Sequence, residues 1–590
     1  MIRTTGIVQP ARIADMHRGG AISGYALKGP GHMKILRLPI ALLFALGFVL
    51  VLFRQPGAQP IPSMRSLSYT SSRPYMITPN SGSINTIVTA QPAGTLFSLA
   101  CGTYRMQPVI RPRDGDSFVG AGSVSGVPGA PPCADLNGSV VLNNWTAGSG
   151  DSAGTWYKTI SRDEVISRHS SAPCMSSDIG CEYPQDLFFN SVPKTHVTAS
   201  FPPGAGQWYL DYTGTVGQQV ADTVYVGDDP HTFTVELSVV QTAFASPASN
   251  VTIQNLTIEK YATSTQNGTV TTRGDHWTIE NNWLDLNHGE AIELNGASNA
   301  LVTFNRSTQN GQAGLAAGGS GEGKGDVFSN NVVTQNNFAG VAYGFEAGGG
   351  KFSANDSLQV INNTFSNNNG NGLWGDGNDT NAIFAGNTVD HNLFNGITYE
   401  ISHSGRIIRN TLIDNAQAAP SQCIAAHVPI LNGHDVCTGA GTCSGAGCRA
   451  CSNGRSEIWV HTSDTTTVGG SPADGNTIIS NCAGIQINED GRLRATGNTV
   501  SYNRLTLHTG SGVVNTILGG NKQPGALGFN MYSALPANSF DHNSYTFDSA
   551  TASRINKQWQ WQFGGGVGNQ PYTWAGWQAK GQDVHGSVSP

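Results

Sequence analysis

The chain has 590 residues, a net charge of −7 and only 12% charged residues, with 74 glycines. So few charges exclude long solvated helices and coiled coils, whose exposed faces need them. The 38% apolar residues, including 11 Trp and 22 Phe, can build a core, and no basic block offers nucleic acid a footprint.

The first feature in chain order is Leu38–Phe53, an unbroken apolar run behind Lys34 and Arg37. Its length suits a signal-peptide core better than a spanning helix, and no clear small-x-small cleavage site follows. Residues 1–60 are therefore read as a cytoplasmic or over-called start plus a signal peptide or anchor. The rest is expected to be secreted, periplasmic or on the cell surface, with membrane contact only through residues 38–53. Ten cysteines fit that compartment: Cys101, Cys133, Cys174 and Cys181 early, then Cys423, Cys437, Cys443, Cys448, Cys451 and Cys482 late. An even count in an exported chain points to disulfides. Cys448 and Cys451 form a CxxC without a matching second pair, which favours staples over metal.

Residues 70–145 read as a cap and first coils. Residues 146–248 contain hairpin-like strands ("WYLDY", "TVYVGDDP") that fit no coil period and read as an inserted β module. From 249 to 545 a motif recurs, Asn-x4-Asn: Asn282/Asn287, Asn305/Asn310, Asn331/Asn336, Asn363/Asn368, Asn387/Asn392, Asn410/Asn415, Asn476/Asn481 and Asn498/Asn503. The first members lie 23, 26, 32, 24, 23, 66 and 22 residues apart. Strands of period-two alternation flank each pair. A base period near 23 with insertions predicts an all-β fold, a right-handed parallel β-helix with stacked asparagines in tight, left-handed bends. The long interval is a Cys-rich loop, 416–452. Residues 546–590 are aromatic and read as a C-terminal cap over the last coil's open edge.

Aligning the strand after each second Asn places Leu373, Ile397, Ile458 and Ile485 inward. One outward column then runs Asn295, Gly318, Gly344, Asp376, Glu400, His461, Asn488. Beside it run Glu293, Ala316, Ala342, Trp374, Thr398, Trp459, Gln486. A lone outward acid is ordinarily solvated surface. Two acids stacked about 4.8 Å apart are not, because like charges so placed destabilise a sheet. Their spacing falls near the ~5–5.5 Å of a retaining glycosidase pair. Asp376 and Glu400 are thus the catalytic candidates. Trp374 and Trp459 are candidate sugar platforms, and His461, Glu293 and Asn295 candidate substrate contacts, with Glu346 a weaker one. Lys351 or His461 is a candidate lyase base. No cofactor is expected, with Ca2+ the one ion that paired carboxylates would also suit.

The Asn-x4-Asn-x-Gly-Ile pattern resembles the pectin-lyase-like superfamily of right-handed parallel β-helix proteins, across residues 94–587. The module with "LFFNSVP", "WYLDY" and "TVYVGDDP" also resembles the β insertion of β-helix glycoside hydrolases of the β-xylosidase type. That resemblance implies Asp376 ("GLWGDGN") as nucleophile and Glu400 ("ITYEISH") as acid/base. Neither a polygalacturonase Gly-His-Gly signature nor a pectate-lyase acid cluster with a catalytic Arg is present. The expectation is an exported, monomeric glycoside hydrolase acting on a plant or microbial polysaccharide. The alternatives are a polysaccharide lyase or uronate epimerase, or a glycan-binding surface protein.

Overall fold

Each coil of the computed structural model consists of three short strands separated by corners, as in Thr278–Glu280, Trp283–Asp285 and Glu290–Leu294. The structure describes residues 73–122, 130–160, 170–213, 220–319, 321–415, 417–418, 450–451, 456–480, 483–490, 492–507, 520–521, 537–547, 559–563 and 570–589. Equivalent strands stack in parallel into three long sheets. Sheet 1 runs from Tyr75–Ile77 to Ser539–Asp541, sheet 2 from Gly102–Arg105 to Ser587–Ser589, and sheet 3 from Phe244–Ser246 to Ala483–Asn488. The fold is a right-handed parallel β-helix. Alternation sends Ile279, Leu284 and Ile292 into the lumen, where each is fully buried, and every other residue outward.

The corners explain the asparagines. Between sheets 1 and 2, Asn282 donates from its backbone N and Nδ2 to Oδ1 of Asn305 one coil on, at 3.0 and 3.1 Å. Its Nδ2 also reaches back to the carbonyl of Ile253. Asn305, Asn331, Asn363, Asn387 and Asn410 repeat the pattern. A second ladder, between sheets 2 and 3, runs Asn287, Asn310, Asn336, Asn368, Asn392, Asn415. An amide suits a repeating rung because it donates and accepts at once, so each copy satisfies the next.

Two expectations are corrected here. The left-handed residue is the one before the ladder asparagine, as at Asn281, Phe304, Asn330 and Arg409, not the asparagine itself. It turns the chain so that the asparagine side chain points along the stack. The last repeat is also out of phase. Asn476 pairs with Asn503, whereas Asn498 occupies the third corner, bonded to Thr466 and Asn538. Asn481 lies outside the described residues.

Both ends are closed by polar mimicry and burial. Helix Ile84–Ala90, capped by Ser83, places Ile84 and Val88 over the first coil. At the far end Asp583 takes the next rung, accepting from Asn543, Tyr545 and Trp577. Trp559 and Trp577 are buried over the last lumen.

The off-period strands form a four-stranded sheet (139–142, 187–189, 192–193, 235–238) and a five-stranded sheet (146–147, 156–159, 195–196, 207–213, 220–226) with their own apolar core. The strand at 139–142 therefore belongs to this module, although the sequence reading started it at 146. Phe244–Ser246, inside the span read as module, is already the first strand of sheet 3. Disulfides join Cys101 to Cys133 and Cys174 to Cys181. Residues 1–60, including the apolar run 38–53, lie outside the described residues, as do the thiols of the six late cysteines. Of loop 416–452 only its neck is described, Gln417–Ala418 paired with Ala450–Cys451. Among the described residues no helix is long and apolar enough to cross a membrane.

Candidate active site

The outer face of sheet 3 gathers the chemistry. Register pairs Trp374 with Thr398 and Gly375 with Tyr399, so Asp376 and Glu400 follow on neighbouring rungs. Glu400 pairs in turn with His461, and His461 with Asn488. Leu373, Tyr399 and Val460 point into the lumen, which leaves Asp376, Glu400 and His461 outside.

One coil departs from the expected alignment. The strand beside Leu373–Asp376 is Gly348–Ser353, pairing Lys351 with Trp374 and Ser353 with Asp376. Ala342 and Gly344 precede this strand, in an excursion that packs on the Cys174–Cys181 loop. The columns therefore read Glu293, Ala316, Lys351, Trp374, Thr398, Trp459 and Gln486. Next to it, three rungs apart, or about 14 Å at the spacing of parallel strands, lie the coils of Asn295 and Asp376.

Each acid of the pair has its own cation. Lys351 Nζ lies 2.7 Å from Asp376 Oδ2 and 3.1 Å from Glu346 Oε1, with its ammonium 3.7 Å over the Trp374 ring. Burial pushes Lys351 down, but Glu346 and Asp376 outweigh it and raise its pKa. Held as ammonium between two carboxylates, Lys351 is placed as a counter-ion to Asp376 and Glu346. On the next rung Glu400 Oε1 meets the Arg492 guanidinium and, at 3.1 Å, His461 Nδ1. Arg492 Nε is also 2.6 Å from Asp490 Oδ2.

The two carboxylates consequently titrate apart. Burial would raise Glu400, yet His461 and Arg492 hold it at about 2. Asp376 is pushed up by burial and by Glu400, more than Lys351 lowers it. Its Oδ1 is buried and unpartnered, as is Trp374 Nε1.

The remaining candidates fall in different places. Trp374 is 9% exposed and its ring carries the Lys351 ammonium, so it offers a sugar little face. Trp459 stacks one face on His461 at 4.1 Å and, with the Asn488 amide turned to satisfy its neighbours, donates Nε1 to Asn488, leaving its other face free of that stack. Glu293 accepts from Gly268 N and Thr271 Oγ1 within the sheet. Buried Glu290 and Glu346 lie near it, and burial together with repulsion from Glu293 and Glu346 raises Glu290.

Arg492, Asp490 and Glu290 were not singled out from the sequence. Arg492 is 92 residues from Glu400 and lies beyond the last strand of sheet 3, so no repeat position flags it. Glu400, His461 and Asp490 bring ligand-type atoms within 4.8 Å of one another. A dication there would have to displace Arg492, which already balances both carboxylates, so the residues fit calcium poorly.

The family described as right handed beta helix region matches residues 267–427. Among solved structures, that of XylC in complex with xylose aligns at a TM-score of 0.56 and 13% identity, covering 80% of this chain and 84% of that one. The Azotobacter vinelandii mannuronan C-5 epimerase AlgE6 A-module aligns at 0.44 and 12%, covering 86% and 92%. A comparison with curated proteins finds no match. At such identities the likeness concerns the fold: the chain is a right-handed parallel β-helix protein.

Proposed function

We propose that the protein is a carbohydrate-active enzyme, a retaining glycoside hydrolase acting on a plant or microbial glycan outside the cytoplasm. The observation that carries this reading is the placement of Asp376 and Glu400 on adjacent rungs of one outward column, with pKa values driven apart. One carboxylate attacks the anomeric carbon and forms a glycosyl ester while the other protonates the leaving oxygen. The second then deprotonates the water that hydrolyses the ester. The structure of XylC in complex with xylose, on the same fold, is consistent with a sugar substrate.

The resemblance gives the nucleophile role to Asp376. Charge in the substrate-free site runs the other way, with Glu400 ionised and Asp376 raised. Glu400 can act as the acid only if substrate draws Arg492 away. Half-exposed on its loop, Arg492 is placed to move. We assign the pair to the reaction, and azide decides the order within it. A nucleophile variant (Asp376→Gly or Glu400→Gly) rescued by azide yields the glycosyl azide of inverted configuration, whereas the acid/base variant yields the retained one.

The primary test is reducing-sugar release from a panel of neutral glycans. Turnover without unsaturated product, lost at least ~10³-fold in both Asp376→Asn and Glu400→Gln, supports the reading. Unsaturated product, or glycan binding without turnover and indifferent to both substitutions, overturns it.

A further inference from the structure

We propose that Asp541, His542 and His585 form a binding site for a first-row divalent metal of the zinc class, one that ties the C-terminal cap to the last coil. The site lies away from sheet 3. Asp541 ends the last strand of sheet 1, His542 is the left-handed corner residue ahead of ladder residue Asn543, and His585 belongs to the cap.

The carboxylate of Asp541 is aimed. Its Oδ1 accepts the backbone N–H groups of His542 and His585 at 2.9 and 3.0 Å. That leaves Oδ2 facing His542 Nδ1 at 3.1 Å and His585 Nδ1 at 2.9 Å. The three ligand-type atoms all lie within 4.8 Å of one another. Around a tetrahedral zinc with bonds of ~2.0–2.1 Å, neighbouring ligand atoms stand roughly 3.3 Å apart, so only small shifts would admit the ion.

The imidazoles are also held in place. His542 stacks on Tyr502 at 4.5 Å and on His585 at 4.8 Å. The two backbone N–H groups on Oδ1 act as the outer shell that orients a ligating carboxylate. One carboxylate and two neutral imidazoles supply a net −1 to a dication and leave its fourth position to water. Nitrogen donors select zinc, nickel, copper or cobalt over calcium and magnesium. On binding, each imidazole presents the Nδ1 lone pair and keeps its proton on Nε2. Without metal, an Nδ1–H on each ring donates to Oδ2.

The consequence is local. Asp583, two residues before His585, donates its backbone N–H to Phe540 O, so the cap already lies along this coil. An ion bridging His585 to Asp541 and His542 would hold the cap over the last lumen and raise stability by mass action.

The test uses the full chain stripped with EDTA and titrated with Zn2+, then Co2+. One site is expected, with a Kd of about micromolar order and a Tm rise of a few degrees. His585→Gln should weaken binding at least tenfold and abolish the Tm rise measured against its own metal-free Tm, and His542→Gln should do the same. The Co2+ spectrum should show d–d bands without thiolate charge transfer, which separates this site from the late cysteines. Absence of binding in the parent chain, or equal binding and equal Tm rise in both variants, would overturn the proposal.

Discussion

The corner between sheets 1 and 2 and the outer face of sheet 3 ride on the same lattice of rungs, yet they solve opposite problems. In the corner, Asn282, Asn305, Asn331 and their successors are identical, neutral and self-complementary, so stacking them satisfies every buried donor and acceptor. On sheet 3 the rungs bring Asp376 and Glu400 together, and like charges cannot satisfy one another. The structure answers with cations from two different places, Lys351 from the preceding coil and Arg492 from a distant loop. Repetition therefore builds the scaffold, and breaks in repetition build the site.

The comparison is broken most directly at the acids. Asp376→Asn or Glu400→Gln should cost the proposed hydrolysis at least ~10³-fold, about 4 kcal/mol of transition-state stabilisation. Asp376→Asn should melt no lower than the parent, because burial and Glu400 already disfavour its charge, whereas Glu400→Gln should melt lower, because it leaves Arg492 and His461 without their shared carboxylate. Turnover and thermal melts on the same preparations check this.

On the scaffold side the reverse is expected. Asn331→Ala strands the donors of Asn305 and the carbonyl of Val302, all buried. It should cost about 2–4 kcal/mol by chemical denaturation, several orphaned groups at ~1–3 kcal/mol each being partly relieved by relaxation. Activity per folded molecule should not change.

A pH effect sharpens the contrast. The second ladder passes from Asn415 to Glu457, whose Oε2 accepts from Asn415 Nδ2 at 2.7 Å. Burial, opposed by the hydrogen bonds of Asn415 and Ser480, raises Glu457 to about 8. A protonated carboxyl thus stands where the ladder elsewhere uses an amide. The unfolded chain ionises this group near its ordinary value and the folded chain near 8. Stability should therefore fall as pH rises from about 4.5 through 8, by a few kcal/mol at most. Glu457→Gln should flatten that slope and raise the Tm at pH 8, with no gain at pH 4.

The smallest expected effect tests the cation. Lys351→Met removes the charge that lowers Asp376. The pH–rate limb governed by Asp376 should move up by about one unit or more. An unmoved limb would mean that Lys351 is only packing against Trp374.

Much of this was legible in the residues. The Asn spacing marked most of the corners, and the strand after each Gly placed Asp376, Glu400, His461 and Asn488 in one column in their true order. Lys351 was not placed because Gly348–Gly350 carries no side chains to show alternation. Gly350 occupies the lumen position of Leu373, where Phe352 and Phe365 crowd in instead. Asn498 misled for a related reason. The third corner bonds through two positions, one holding Asp326 or Asn498 just before the strand and the other Asp379 or Ser463 three residues earlier, so it has no single sequence signature.

What the sequence determined by itself is everything that repeats: the period, the inward faces, the amide ladders and the adjacency of two acids, because a parallel stack converts spacing into distance. What tertiary structure decided is what occurs once. The excursion before Gly348 set the register of Lys351, and the end of sheet 3 delivered Arg492 to Glu400. Charge balance on a rung depends on which distant side chain arrives there, and only the folded chain brings it.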